Sequence, residues 1–170
     1  NIITTTGFGY GDTVQWPLFS QIILLFLMCL GGSAGSTAGG FKVIRVIIIG
    51  RIAKNQILST LSPNRVLTMH INGAVLDKDT QHKVLKYLAV YILIIAALIF
   101  IISLDNNNLM TVTSAVISCF NNIGPMIGTT ETFSIYSPFS KFLLSLAMIA
   151  GRLEIYPILL LFLPRTWSNR

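Results

Sequence analysis

Two stretches decide the fold, Thr4-Thr5-Thr6-Gly7-Phe8-Gly9-Tyr10-Gly11-Asp12 and Asn121-Asn122-Ile123-Gly124-Pro125-Met126. Each places glycine among small or polar residues just before a long apolar run. A potassium filter replaces the water shell of an ion with backbone carbonyls, and glycine lets successive carbonyls point the same way. Such non-helical backbone survives at membrane depth only where it is buried in protein or lines a wet cavity. The two stretches therefore predict segments of a potassium filter.

The composition predicts an integral membrane protein. Hydrophobic residues make up 53% of the 170 residues, charged residues make up 11%, and the mean hydropathy is +0.73. Soluble domains contain roughly 25% charged residues. Residues 83–104 and 139–163 each reach the about 20 residues that a transmembrane helix needs. A third apolar region, 18–49, is longer and is broken in its middle. No leader-like segment opens the chain, and Asn1 falls inside a pore segment, so we expect a C-terminal fragment.

Basic residues predict the orientation in the membrane. They cluster between the first and second apolar regions, at Lys42, Arg45, Arg51, Lys54, Arg65, Lys78, Lys83 and Lys86. Because loops rich in lysine and arginine stay on the cytoplasmic side, we expect this connection inside and both filter candidates near the outer face. The net charge of +6 is then a topology signal. Nucleic acid is not an expected partner, since no aromatic and basic binding pattern accompanies the charge.

The two halves of the chain repeat one pattern of filter, outer loop, proline and long helix. Only the second copy is complete, with an outer helix, a short pore helix and an inner helix predicted over residues 83–104, 109–120 and 139–163. The short segment is too brief to span a membrane. As a half-helix it would direct its negative C-terminal end toward the ion.

Taken in order, these motifs resemble the Trk/Ktr/HKT superfamily of potassium transporters, and within it the bacterial Trk type. The resemblance covers nearly the whole chain and rests on residues 4–8 with Trp16-Pro17, 31–40 with Lys42 and Arg45, 121–125, and 151–154. It implies an all-α integral membrane fold in which four repeats of outer helix, pore helix, filter loop and inner helix surround one pseudo-fourfold pore. Residues 1–50 would be the filter and broken inner helix of the third repeat, 51–82 a cytoplasmic connection, and 83–170 the fourth repeat.

Two filter registers compete in the first copy. Phe8-Gly9-Tyr10-Gly11-Asp12 is also similar to the filter of tetrameric potassium channels. The second copy has one glycine between Ile123 and Pro125, which aligns with Thr6-Gly7-Phe8 and favours the upstream register. The alternative for all these glycines is an ordinary extracellular turn. The predicted filter residues are Thr5, Thr6, Gly7, Phe8, Asn122, Ile123, Gly124 and Pro125.

Residues 31–40, called the Gly-rich segment below, interrupt an apolar helix with only Gly, Ser, Ala and Thr. One interpretation is close helix packing through Gly31, Gly35 and Gly39. A second is an intramembrane serine hydrolase, because the sequence fits G-x-S-x-G. That chemistry needs a base, and both histidines lie in the polar connection. The third, implied by the resemblance and favoured here, is a loop beneath the filter that blocks the pore and moves to open it. The gate residues would be Gly31, Gly32, Ser33, Gly35, Ser36, Gly39, Gly40 and Arg152.

Two charged residues, Arg152 and Glu154, interrupt the last apolar region. A charge in hydrocarbon costs about 3 kcal/mol on insertion scales, so both side chains should meet protein or water. In one interpretation they form a structural pair. In the other, implied by the resemblance, Arg152 projects toward the pore below the filter, where it holds the Gly-rich segment or acts as an electrostatic barrier.

The polar connection contains Met69-His70-Ile71-Asn72-Gly73-Ala74-Val75-Leu76, which predicts a hairpin with an Asn-Gly turn. The hairpin is either a docking edge for a cytosolic partner or a plain surface loop. The resemblance implies a separate cytosolic, nucleotide-binding regulatory subunit and a homodimer. The chain has no phosphate-binding glycine motif of its own. We expect no covalent cofactor, and Cys29 and Cys119 predict neither a disulfide nor a metal site.

The sequence thus predicts a membrane transporter and not an enzyme. The expected function is potassium uptake or symport across a bacterial cytoplasmic membrane, through a filter-lined, gated pore in contact with lipid. Potassium is the expected transported ion, and the filter is the only metal site expected. One alternative is a subunit of a tetrameric potassium channel, which would need only one filter. The other is the serine hydrolase.

Overall fold

The computed structural model of the chain is mostly helical. It describes residues 1–8, 13–33, 36, 39–61, 70–71, 74–75, 77–105, 107–130 and 132–152. Within these ranges the α-helices are α1 (Leu18–Cys29), α2 (Val43–Leu61), α3 (Lys78–Ile102), α4 (Leu109–Phe120) and α5 (Pro138–Arg152). Single 3₁₀ turns cover Thr13–Gln15, Ser103–Asp105 and Phe133–Ile135.

Two pairs of very short strands accompany the helices, so the fold is mostly helical where the sequence predicted an all-α one. In the first pair, β1 (Leu30–Gly31) lies parallel to β2 (Phe41–Lys42). In the second, β3 (His70–Ile71) lies antiparallel to β4 (Ala74–Val75). The second pair confirms the predicted hairpin, whose turn residues 72–73 lie outside the described residues.

The short helix α4 is the buried centre of the described structure. Eight of its twelve residues are buried, and α5, α3 and α1 all pack against it. Twelve residues make a helix of about 18 Å, which is too short for the about 30 Å of hydrocarbon in a bilayer. Its bounds are those predicted from the sequence. A short, buried apolar helix packed against α1, α3 and α5 has the position expected of a pore helix.

The helix α3 is the one element in the described part of the chain with the length and composition to cross a membrane. That span covers Asp79–Asp105, and little of its apolar stretch is buried. Ile92, Leu93 and Phe100 lie on its outer surface, each more than half exposed. A contiguous apolar surface of this kind is typical of contact with lipid or with further protein. The helix predicted over residues 83–104 is confirmed, and it begins at Lys78 instead of residue 83.

The third apolar region is broken in its middle, as predicted. Helix α1 ends at Cys29 and α2 begins at Val43. Helix α2 packs against α3. Because β1 and β2 are parallel, the chain leaves the helix axis, returns, and continues in its original direction. The Val43 N–H donates to the Gly32 carbonyl at 3.3 Å and closes the excursion.

The last helix, α5, is anchored at its start to the end of α3. The Ser137 N–H, just before α5, donates to Asp105 Oδ2 at 3.1 Å. Pro138 then takes the first helical position, where its missing N–H costs nothing. The predicted inner helix over 139–163 is described as far as Arg152, and Glu154 lies outside the described residues.

Candidate functional site

Helix α4 ends in a Schellman motif that turns the chain into the second candidate filter, residues 122–125. Asn122 has φ +56°, and its N–H donates to the Cys119 carbonyl at 3.1 Å. The Ile123 N–H donates to the Ser118 carbonyl at 2.9 Å, which completes the motif. The Gly124 N–H then donates to Ser118 Oγ at 3.1 Å. The N–H groups of residues 122–124 are thus all bonded to the end of α4. The carbonyls of these residues are therefore the backbone groups available to line a passage.

The first candidate filter, residues 5–8, has the same backbone. The Thr5 N–H donates to the Ile2 carbonyl at 3.1 Å, and the Thr6 N–H donates to the Asn1 carbonyl at 3.0 Å. Thr5 has φ +52°, close to that of its counterpart Asn122. A β-branched residue rarely adopts this conformation. The turn is therefore imposed by the fold and not by the local preference of threonine.

Both candidate filters place a glycine with positive φ two residues after the turn. The angles are +77° at Gly7 and +107° at Gly124. A Cβ added at Gly7 would overlap the carbonyl oxygen of Ile123, so the two segments lie side by side. A Cβ added at Gly124 would meet no described atom within 4 Å. Gly7 is needed for close packing as well as for conformation, whereas Gly124 is needed for conformation and borders open space.

A cavity of about 270 Å³ opens beside Gly124, between α4 and α5. Cys119 and Leu144 supply part of its apolar wall, and Lys141 lies at its edge. The side chains of the first filter are more exposed than those of the second. Phe8 is 77% exposed, whereas Ile123 is 3% exposed. What the two filters share is backbone geometry and not side-chain packing.

The Gly-rich segment brings its two ends together beside the second filter. A Cβ at Gly31 would overlap the Gly39 carbonyl, and a Cβ at Gly39 would overlap the carbonyl of Asn121. Gly40 has φ +88°, and its Cβ would lie 3.2 Å from the Gly31 backbone. These contacts are between backbones in non-helical chain. The small-xxx-small helix interface is therefore wrong for Gly31 and Gly39, while Gly35 lies outside the described residues.

Helix α5 makes its own backbone contact at the same junction. A Cβ at Gly151 would overlap the Phe120 carbonyl at the end of α4. Asn122 Nδ2 donates to the Met148 carbonyl one turn earlier, at 3.0 Å. Arg152 follows Gly151 directly and has an exposed side chain. The structure thus brings Arg152 within one residue of the point where α4 passes into the filter.

An aromatic cluster that sequence reasoning missed holds the far end of the Gly-rich segment. The Phe41 ring lies 5.6 Å from that of Tyr91, which packs edge-on to Phe120 at 5.4 Å. The Tyr91 hydroxyl donates to Asn121 Oδ1 at 2.9 Å. One turn earlier in α3, the centroid of the Tyr87 ring lies 3.9 Å from the guanidinium carbon of Arg45. Two tyrosines four residues apart in an apolar helix were the available signal.

A second missed feature ties the loops after the two filters together. Gln21 is buried, and its Nε2 donates to the carbonyls of Thr13 at 3.1 Å and Trp16 at 3.0 Å. The Gly128 N–H, beyond the second filter, donates to Thr13 Oγ1 at 3.2 Å. Nothing in the sequence pattern marked Gln21, because a single glutamine in an apolar helix has no characteristic spacing.

No group of three or more His, Cys, Asp or Glu side chains able to hold a metal ion lies within the described ranges. The described ligand candidates are instead backbone carbonyls, which suit a hard alkali cation. Cys29 and Cys119 are both free thiols. Backbone carbonyls of this kind can replace the water shell of a monovalent cation, and the Gly-rich backbone contacts Asn121, the residue before the second candidate filter.

Comparison with known proteins matches residues 2–169 to the family model of TrkH, a cation transport protein. The chain is 30% identical to the Trk system potassium uptake protein TrkH of Escherichia coli (strain K12) and 32% identical to that of Vibrio parahaemolyticus. Each alignment covers 99% of this chain and 35% of the relative. The crystal structure of the potassium transporter TrkH from Vibrio parahaemolyticus superposes with a TM-score of 0.89 at 32% identity, over 98% of this chain and 36% of that one. The chain therefore spans about a third of the length of these relatives.

Proposed function

Because the chain belongs to the TrkH family of cation transport proteins, we propose that it serves potassium uptake across a bacterial cytoplasmic membrane through a filter-lined, gated pore. Similar curated proteins are named Trk system potassium uptake proteins. One observation supports the proposal above all others. The two candidate filters have the same pair of backbone hydrogen bonds and have positive φ at the same two positions, although their sequences differ.

The proposed architecture is a pseudo-fourfold pore made of four repeats. Residues 1–50 form the filter and broken inner helix of the third repeat, 51–82 a cytoplasmic connection, and 83–170 the fourth repeat. The side-by-side contact of Gly7 with Ile123 supports this division, because neighbouring repeats around one axis bring their filters together. This chain would supply half of the filter, through the eight residues 5–8 and 122–125.

The buried helix α4 supports a cation pathway electrostatically. Its C-terminal end lies at the second filter, and that end of a helix carries about half of a negative elementary charge. The field is strongest for a cation within the last turn, where the filter carbonyls begin. A partly dehydrated potassium ion would be stabilised there.

The proposed gate is the Gly-rich segment together with Arg152. Gly39 contacts the Asn121 backbone, and Gly151 contacts that of Phe120, so both elements border the entry to the second filter. Loop carbonyls next to an arginine can be held through its fork of five donors. In this proposal the segment obstructs the pore and Arg152 restrains it.

Neither alternative gains support from the described contacts. A tetrameric channel subunit needs one filter, whereas this chain has two unlike segments in contact with one another. A serine hydrolase would use Ser33, which is exposed, but the curated proteins similar to this chain are named for potassium uptake. Homodimerisation, a lipid environment and a cytosolic nucleotide-binding subunit docked at the hairpin remain parts of the proposal. Potassium is the cargo, with no covalent cofactor.

The full-length transporter expressed in cells that lack their own potassium uptake tests the proposed function. Rubidium uptake should be restored and should be inhibited by potassium much more strongly than by sodium. The matched control is the same protein with Gly7→Ala, which should be inserted in the membrane but inactive. Membrane-inserted parent protein without rubidium uptake, or with uptake equally inhibited by sodium, would overturn the proposal.

A further inference from the structure

We infer that Asn121 is a positioning residue that couples the Gly-rich segment to the second filter, and that the Tyr91 hydroxyl holds its side chain for this purpose. The inference rests on the proposed function, because it concerns how the proposed gate and the proposed filter affect each other. It adds a connection that neither motif contains, since Asn121 precedes the filter and Tyr91 lies on the outer helix α3.

Asn121 touches both elements at once. It is fully buried, and its backbone carbonyl occupies the space that a Cβ on Gly39 would need. Its Oδ1 lies 3.4 Å from the Cβ position of Gly40. The next residue, Asn122, makes the turn with φ +56° that begins the filter. Backbone in contact with backbone has no flexible side chain to absorb a displacement, because protein interiors are close-packed.

Tyr91 reaches both ends of the Gly-rich segment. Its hydroxyl donates to Asn121 Oδ1 at 2.9 Å and lies beside the thiol of Cys29, the last residue of α1. Its ring packs against Phe41, the first residue after the segment. The phenol is 5% exposed, so water does not compete for this hydrogen bond. One side chain thereby connects the start of the segment, its end, and the residue before the filter.

The side-chain amide nitrogen of Asn121 indicates how the Gly-rich segment and the second filter could be coupled. Its Nδ2 is buried and has no hydrogen-bond partner among the residues that the structure describes. A buried donor without a partner costs free energy, so native structures seldom keep one without a reason. We assign this N–H as the donor for a carbonyl of the Gly-rich segment when the segment changes conformation. The carboxamide would then exchange a loop contact in one state for a hydrogen bond in the other.

Replacement of one oxygen atom tests the inference. In the full-length transporter, Tyr91→Phe keeps the ring packing and removes the hydroxyl that fixes Asn121. We expect basal rubidium flux per purified molecule to rise several-fold in proteoliposomes, and the discrimination of potassium from sodium to fall in the same variant. A change in both quantities is the signature of coupling, because a local effect on the gate alone would leave selectivity intact.

Tyr136→Phe is the matched control. Its hydroxyl is also buried and donates to the Thr111 carbonyl at 3.2 Å, near the opposite end of α4 from Asn121. It should lower the melting temperature by an amount similar to that of Tyr91→Phe, with flux per molecule and selectivity unchanged. If Tyr91 acts through Asn121, the double variant Tyr91→Phe/Asn121→Ala should have the same flux per molecule and the same selectivity as Asn121→Ala alone.

Each outcome separates the inference from the function on which it rests. Parent protein with potassium-selective flux, together with a Tyr91→Phe variant of lower stability and unchanged flux and selectivity, overturns the coupling alone. Equal changes in Tyr91→Phe and Tyr136→Phe overturn it as well, since the effect would then come from any lost buried hydrogen bond. Parent protein without selective flux overturns the proposed function.

Discussion

The two filter-bearing regions share a backbone and differ in the helix that follows it. Both have a turn residue with positive φ, the same pair of N–H bonds, and a glycine two residues later. After the first filter, α1 spans 12 residues and gives way to the Gly-rich segment. After the second, α5 continues for 15 residues and ends its described part at Gly151 and Arg152. A common backbone turn is thus followed by two unlike helices.

In the proposed pore, this difference separates the features that serve the ion from the features that serve gating. Both copies have a Schellman motif followed by a glycine. This backbone forms with the sequence Thr-Thr-Gly in one copy and Asn-Ile-Gly in the other. The helices that follow are not repeated, which the proposed pore explains because one passage needs only one obstruction. In the proposed pore, the third repeat supplies the loop and the fourth supplies the arginine that restrains it.

The largest expected effect is a difference in transport between alanine variants of the two filter glycines. Gly7→Ala should abolish transport, because the added methyl meets the Ile123 carbonyl and overpacking costs about 1–3 kcal/mol in addition to the strain of positive φ. Gly124→Ala meets no described atom within 4 Å and should retain measurable uptake. Rubidium uptake per membrane-inserted molecule is the measurement. Equal losses in the two variants would contradict the packing difference between the two copies.

The next effect concerns the broken helix of the first region. Deletion of residues 35–39 from the full-length protein should raise flux several-fold, since the segment is proposed to obstruct the pore. The assay is ion flux in proteoliposomes, normalised to purified protein and paired with a thermal melt. A well-folded deletion variant with reduced flux would instead support a purely structural role for the segment.

Arg152→Ala tests the corresponding position of the second region. Removal of the donor fork should free the segment and raise basal flux, by less than the deletion does. Arg152→Lys is the matched control, because it keeps the charge and loses the bidentate geometry. Flux per molecule equal to that of the parent, with a lower protein yield, would leave Arg152 as a structural residue.

The sequence predicted those parts of the fold that depend on local pattern. The bounds of α4 and the break after α1 follow from apolar length and from a run of small residues. The same holds for the filter glycines, since glycine adopts the positive φ found at Gly7 and Gly124 without strain. Positive φ at Thr5 opposes the preference of its residue type and could be found only from the repeat.

The contacts that join the elements could not be predicted in this way. Gly7 meets Ile123, and Tyr91 meets Asn121, across long stretches of chain, and neither pair has a spacing rule. Gln21 was missed for a different reason: its amide donates to the nearby carbonyls of Thr13 and Trp16, and before the loop is folded it resembles any polar residue in an apolar helix. Tertiary packing decides such contacts, and the two halves of this chain repeat local geometry without repeating their neighbours.

The most direct measurement of the central claim is the ion selectivity of Gly124→Ser in the full-length protein. Gly50→Ser is its control, because both glycines have open space around the Cβ position and only Gly124 has positive φ. If residues 122–125 form a carbonyl filter, Gly124→Ser should lower the potassium-to-sodium flux ratio in proteoliposomes, and Gly50→Ser should leave it unchanged. An unchanged ratio in well-folded Gly124→Ser protein would remove Gly124 from the filter and contradict the account.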